Sequence, residues 1–502
     1  MTTSSPFSGK SAVANSPWRV QITYVVIGAL FLGYIVIRAL HVGAVYDEVM
    51  TIETAEKWQF WDILINRGSR HANNHVLNTL LVKSFFYIGN VSLFWARLPN
   101  VISFAFYAYF LYKIALRNLS TAVGIGLFVL ALANPFLLEF FGLARGYGLS
   151  IAFMMGSLYF ASEDFKSPSV RKFLASIFLA GLSAVSVFSM LYFFLALTFI
   201  LNLVPVFRKD AASLKKGLGI SCSVGAIFLC FILPVVFRLH KYGQLYYGGV
   251  HDFYNDTLFS LAKYSLGSLG NESNVYLALN FLLLSLGVTV SAALFFKREW
   301  ISLRNVFVGL TTFLVVTIVA AYYLAGARYP IDRVALFLYP LLVILFCFCL
   351  NDLGGYLRGG VISLLVLACG INFTLNANFY KVGVWDYEAH TRQILEKVNE
   401  EGRRTGRTVN LVCSTVLGKV VEYYVNSCNY SYVHVLGEGA GAVSYADIDF
   451  YILFSREFEP LEEMKDGLSD PWREFLNPYK KDVFLEYPKE DIYVLTNFRT
   501  SD

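Results

Sequence analysis

Eleven stretches of the chain, approximately 21–41, 92–112, 120–138, 147–162, 173–188, 190–207, 217–237, 276–296, 305–325, 334–351 and 359–375, are nearly unbroken runs of apolar residues. A helix rises 1.5 Å per residue and needs roughly 20 such residues to cover about 30 Å of hydrocarbon, so each run predicts a transmembrane helix. The fifth and sixth runs are parted only around Ser189, which leaves room for one tight re-entrant pair in their place. Beyond residue 375 the pattern changes. A helix-like stretch at 388–402 is followed by a β-type run from Thr408 to Cys413, a second helical pattern at 418–427, and β-type runs near 431–435, 449–454 and 492–496. Helix and strand in alternation predict a small α/β layer domain over residues 376–502.

Composition agrees with this division. Of 502 residues, 56% are hydrophobic and 15% charged, whereas soluble proteins are about a quarter charged. A set of water-soluble domains, a disordered chain, a collagen-like repeat and a small disulfide scaffold are all excluded. Residues 376–502 hold 14 Lys and Arg against 21 Asp and Glu, a net −7, while residues 1–375 hold 27 against 15, a net +12. Lys and Arg are retained on the cytoplasmic side of a membrane. With residues 1–20 placed inside, every predicted inside loop is basic, from Lys113 and Arg117 through Lys166, Arg171 and Lys172 to Lys297, Arg298, Arg304 and Arg358. An odd number of spans then puts the α/β domain outside. The expected fold is a polytopic α-helical membrane protein of about eleven transmembrane helices (21–375) with a small C-terminal extracytoplasmic α/β domain. About 20 polar residues precede the first span and no small-residue cleavage pattern follows it, which reads as a retained signal anchor. Five cysteines lie in or beside spans; Cys413 and Cys428 fall in the exported domain, where a disulfide is chemically allowed. The lipid bilayer is the expected surroundings, and nucleic acid is not an expected partner.

The outside loops carry the candidate chemistry, because polar residues at membrane depth are costly unless used. The first, 42–91, opens with Tyr46-Asp47-Glu48. Adjacent carboxylates there suit a general base, a metal-ligand pair, or simply the solvated first turn of a helix, where acids favour the dipole. The same loop continues Arg70-His71-Ala72-Asn73-Asn74-His75, then an apolar run from Val76 to Tyr87 with Asn78 inside it. On a helix His71 and His75 share a face, as do Asn74 and Asn78. Two such histidines can bind zinc, but no third ligand is spaced nearby, and a polar face lining a headgroup-level cavity fits better.

Arginines form the second set: Arg97 in Ala96-Arg97-Leu98-Pro99-Asn100, Arg145 in Leu143-Ala144-Arg145-Gly146-Tyr147-Gly148, and Arg328 and Arg333 bracketing Tyr329-Pro330-Ile331-Asp332. They run against the positive-inside bias. A phosphate at the membrane surface would offset that, since a guanidinium fork matches its oxygens; snorkelling to lipid headgroups, or an internal pair of Arg333 with Asp332 or Glu139, is the structural alternative. The loop 239–275 adds Tyr242, Tyr246, Tyr247, His251, Asp252, Tyr254 and Asp256, the mixture of rings and carboxylates that a sugar needs and that interfacial belts also show.

A long first outside loop opening with Asp-Glu, many spans and a soluble outside domain resemble the GT-C superfamily of integral-membrane glycosyltransferases, most closely its bacterial branch near the aminoarabinose lipid A transferase and the protein O-mannosyltransferases. The resemblance covers roughly residues 20–350 and rests on Asp47-Glu48 and on the blocks His71 to Leu80, Trp95 to Asn100, Leu143 to Ser150 and Pro330 to Pro340. It implies transfer of one sugar from a polyprenyl-phosphate donor to a lipid, glycan or protein acceptor, usually with inversion. Asp47 would be the general base and Glu48 would orient it or the acceptor. Arg333, with Arg145 or Arg328, would hold the donor phosphate. Tyr46, His71, Asn74, His75, Arg97, His251 and Asp252 would contact substrate. No multi-carboxylate cage accompanies Asp47, so the expectation is an enzyme without cofactor or metal. Two other classes fit the same charges, a transporter or flippase of a lipid-linked sugar and a non-catalytic partner in an envelope assembly. The absence of an internal repeat and the large outside loop and domain favour surface chemistry.

Overall fold

A computed structural model describes residues 18–67, 73–296, 301–436, 448–454, 482–489 and 492–496. The chain divides into two compact units, one of Met1–Leu40 with Thr51–Ala377 and one of His41–Met50 with Asn378–Asp502.

The first unit is helical. A helix covers each of the eleven predicted stretches, yet among the described residues only seven helices are long and apolar enough to cross a membrane by themselves. The other four differ for physical reasons. The run 120–138 breaks into Thr121–Leu132 and Pro135–Glu139, where Asn134 caps the second piece by accepting the Leu137 N–H at 3.0 Å. Val170–Ser186 spans 17 residues. Leu93–Asn118 and Gly146–Lys166 carry charged residues and bury much of their surface against neighbouring helices, so lipid imposes less on their composition. These interior helices approach closely through small residues, as membrane helices do. Ser157 and Ser176 donate to each other's carbonyls at 2.8 and 3.0 Å, and Ser183 donates to the Ser150 carbonyl at 2.7 Å.

The basic loops are tied to one another. Arg117 pairs with Glu163, Lys166 donates to the Arg117 carbonyl at 3.0 Å, and Arg208 donates to the Phe165 carbonyl at 2.8 Å. Ser120 N–H donates to Asn351 at 2.9 Å, and Arg304 pairs with Asp352 at 2.7 Å.

The second unit holds a five-stranded mixed sheet in the order β2-β1-β3-β5-β4, with β1 Val409–Cys413, β2 Val433–Val435, β3 Phe450–Phe454, β4 Asp482–Tyr487 and β5 Ile492–Thr496. β1 runs parallel to β2 and β3, whereas β5 is antiparallel to β3 and β4. Leu411, Phe450, Ile452 and Val494 of the sheet are buried, as are Ile394 and Val398 of the helix Thr391–Thr405 and Val420 and Val421 of Thr415–Ser427. The sequence misses β4, where Asp482 and Glu486 break the apolar alternation; among the described residues it is an outer strand of the sheet. The helix predicted from 388 starts at Thr391, because Gly383–Glu388 is a tighter 3-10 turn, and it ends at the left-handed Gly406. Cys413 and Cys428 are both thiols, so the disulfide that chemistry would allow between them is not formed.

Candidate active site

In the first unit, the segment that carries Arg145 is held by a buried chain of amides. Asn78, in the helix Val76–Ile88, donates to the Ala144 carbonyl at 3.0 Å and accepts from Asn100 Nδ2 at 2.7 Å; Asn100 Oδ1 accepts the Leu149 N–H at 3.2 Å. The start of the helix Gly146–Lys166 is thereby held on both sides of Arg145, the residue that precedes its first turn. Glycines allow the close approach. A Cβ on Gly146 would stand 2.5 Å from the Ser186 carbonyl and 2.9 Å from His75 Cβ, and one on Gly148 would stand 2.6 Å from the Phe140 carbonyl. Arg145 is buried; its Nη1 donates to the Asn73 carbonyl at 2.8 Å and reaches the Thr51 hydroxyl at 3.4 Å.

Arg333 belongs to a second cluster. Its Nη1 donates to the Tyr247 hydroxyl at 3.0 Å, and its guanidinium lies 4.7 Å from the centre of the same ring. The Tyr247 hydroxyl donates in turn to Asp332, whose backbone N–H donates to Ser260 at 2.9 Å. Asp332 has φ 47°, a left-handed conformation that short polar residues tolerate best. Tyr247 thus joins Arg333 to Asp332, the internal partner foreseen for it. Glu139, the other foreseen partner, pairs with Arg38 at 3.4 Å.

His75 stands against the first of these clusters. Its buried ring packs edge-on against Tyr147, centroids 4.9 Å apart, and its Nε2 has no hydrogen-bond partner. Burial first, then the positive charges of Arg145 and Arg333, hold the imidazole well below its usual pKa, with the Ser186 backbone opposing. Both arginines thus act on one neutral, buried histidine. Concentrated positive charge with directed N–H groups is what an anionic oxygen binds.

The acidic motif lies in the second unit. Asp47 is 4% exposed and Glu48 fully buried, at the start of the helix Tyr46–Lys57. Glu48 Oε2 accepts the Val45 N–H at 3.3 Å, three residues back, which is the acidic half of a capping box. The helix start is confirmed; its solvation is not. Tyr46 N–H donates to Glu388 Oε2 at 2.9 Å, and Ala44 N–H donates to the Tyr424 hydroxyl at 2.6 Å. Glu388 gave no signal in the sequence, being one acid among many in a charged domain.

The remaining predicted residues are placed as follows. Asn74 donates to Asn66 at 2.8 Å and accepts from Thr79 at 2.8 Å. Because the helix begins only at Val76, Asn74 and Asn78 do not share a helical face, and His75 is the residue before the first turn. His71 lies outside the described residues. Arg97, fully buried, donates to the Ala39 carbonyl at 3.0 Å, near the end of Trp18–His41. Arg328 is exposed, beside the short antiparallel pairing of Gly249 with Tyr329. Asp252 caps the turn Phe253–Leu258 by accepting the Tyr254 and Asn255 N–H groups at 2.8 and 2.7 Å, and exposed His251 contacts Asp256 at 3.2 Å. Their bonds are local to that turn. Among the described residues no three His, Cys, Asp or Glu side chains are grouped to hold a metal ion.

The architecture has a match among solved structures. ArnT from Cupriavidus metallidurans bound to undecaprenyl phosphate superposes with a TM-score of 0.52 at 12% identity, over 95% of this chain and 98% of that one. The two chains share one fold over nearly their whole lengths. The apo state of the same transferase gives 0.51 at 11% identity, over 95% and 97%. No family model matches the sequence, and no curated protein does. The likeness is thus one of fold, at 11–12% identity.

Proposed function

We propose that the protein transfers a monosaccharide from a polyprenyl-phosphate donor to an acceptor at the extracytoplasmic face of the inner membrane, with inversion and without a metal. The N-terminus is cytoplasmic and the C-terminal domain outside. The observation that carries this reading is the buried guanidinium of Arg145, held at the Asn73 carbonyl and Thr51, together with Arg333 held at Tyr247, in a chain whose fold matches a structure solved with undecaprenyl phosphate. In the reaction the acceptor hydroxyl oxygen attacks the anomeric carbon from the side opposite the phosphate. The bond from that carbon to the phosphate oxygen breaks, and its electron pair leaves with the polyprenyl phosphate. Asp47 takes the hydroxyl proton. Arg333 and Arg145 stabilise the charge gathering on the departing phosphate, an effect that fixed dipoles and charges make large. Arg328, being exposed, is assigned to first contact with the anionic donor. Glu48 orients Asp47 through the start of their shared helix.

The test combines glycan analysis with one substitution. Mass spectrometry of envelope glycans from cells with and without the protein should reveal a missing single-sugar increment that identifies the sugar and its acceptor. Membranes containing Asp47→Asn and supplied with that lipid-linked donor should bind the donor but lose transfer by about a hundredfold or more, within the range of a lost general base. Full transfer by Asp47→Asn would remove Asp47 as the base, and donor export without transfer in the native protein would identify a transporter.

A further inference from the structure

Glu388 ends the 3-10 turn Gly383–Glu388 and is only 2% exposed. One carboxyl oxygen accepts the Tyr46 N–H, immediately before Asp47, at 2.9 Å; the other is buried with no hydrogen-bond partner. A buried carboxylate requires a positive neighbour or several donors. Here the charges acting on it are those of Asp47 and Glu48 in the helix Tyr46–Lys57, both negative. From the helix Thr415–Ser427 the same segment meets the Tyr424 hydroxyl, which is neutral; it accepts the Ala44 N–H and would stand 3.2 Å from a Cβ on Gly43. Burial chiefly, then Asp47 and Glu48, hold the Glu388 carboxyl well above the usual carboxylic range, with the Tyr46 N–H opposing.

We propose that Glu388 is a positioning residue of the transfer reaction: its buried carboxyl anchors the backbone at Tyr46 and so fixes where Asp47 stands. The inference rests on Asp47 being the base. It gives the C-terminal domain a part in the chemistry, since the residue that locks the acidic motif comes from a segment 342 positions away. When Glu388 loses its proton, three carboxylates repel one another and the anchor weakens, so transfer declines on the alkaline side.

The experiment uses the full chain in lipid nanodiscs, native and as Glu388→Gln and Glu388→Ala. Infrared titration should show a protonated-carboxyl band in the native protein at neutral pH that is missing from Glu388→Gln. Because the amide oxygen still accepts the Tyr46 N–H, Glu388→Gln should transfer sugar at close to the native rate at neutral pH and lack the alkaline decline. Glu388→Ala should lower kcat about tenfold, the loss of one buried hydrogen bond, with the KM for donor unchanged. An absent band, an alkaline limb unaltered in Glu388→Gln, or native kcat in Glu388→Ala overturns the proposal. Because the band needs no turnover, its absence leaves the base assignment standing, whereas full transfer by Asp47→Asn sinks that assignment whatever the band shows.

Discussion

Removing Asn78 should cost stability and donor affinity together. Its side chain is fully buried, donating to the Ala144 carbonyl at 3.0 Å and accepting from Asn100 at 2.7 Å. Asn78→Ala leaves that carbonyl and the Asn100 amide without these partners, at about 1–3 kcal/mol each. The sum, about 2–6 kcal/mol, is a large part of the ~5–15 kcal/mol that holds a typical domain together. Since Ala144 precedes Arg145, releasing it also displaces the guanidinium, and the KM for donor should rise about tenfold for roughly 1.4 kcal/mol of lost phosphate binding. Ser103→Ala is the control. That hydroxyl is also buried and donates only to the Asn100 carbonyl at 2.7 Å, so its removal should cost about 1 kcal/mol and leave donor KM unchanged. The assays are denaturant unfolding of the solubilised protein followed by tryptophan fluorescence, and initial transfer rates against donor concentration. An unchanged midpoint for Asn78→Ala, or a donor KM equal to that of Ser103→Ala, would mean that the amide chain does not position Arg145.

Tyr247→Phe removes the hydroxyl that joins Arg333 to Asp332, and donor KM should rise several-fold with the unfolding midpoint nearly constant. Arg38→Met removes the guanidinium paired with buried Glu139 and should destabilise by about 3–5 kcal/mol, much of it regained in Arg38→Met with Glu139→Leu; unfolding midpoints decide it. Gly146→Ala drives a methyl towards the Ser186 carbonyl and should cost about 1–3 kcal/mol and weaken donor binding, checked by the same titration. The folded state holds His75 neutral while the unfolded chain binds a proton near pH 6.5. Stability should therefore fall as pH drops below about 6.5, a decline that His75→Gln, lacking the titrating ring, should show less of in midpoints measured across that range.

The sequence by itself determined the helical unit, the strand-bearing domain and the residues carrying costly charge. Hydropathy is a local property, so a run of apolar residues announces its helix wherever it packs. Arg145, Arg333 and Asp47 stood out for a related reason, since an ionised group in an apolar chain must have a use or a partner. Why Leu93–Asn118 and Gly146–Lys166 carry charge was decided by tertiary packing, because sheltering neighbours relax the demand for apolar residues. Only the folded chain could tell the arginines apart, for Arg97 is committed to the Ala39 carbonyl while Arg145 and Arg333 act on His75. The same holds for Glu388, whose meaning comes from a backbone N–H 342 residues away. A partner supplied by main chain, or by a distant segment, leaves no periodicity and no motif; it exists only once the chain has closed on itself.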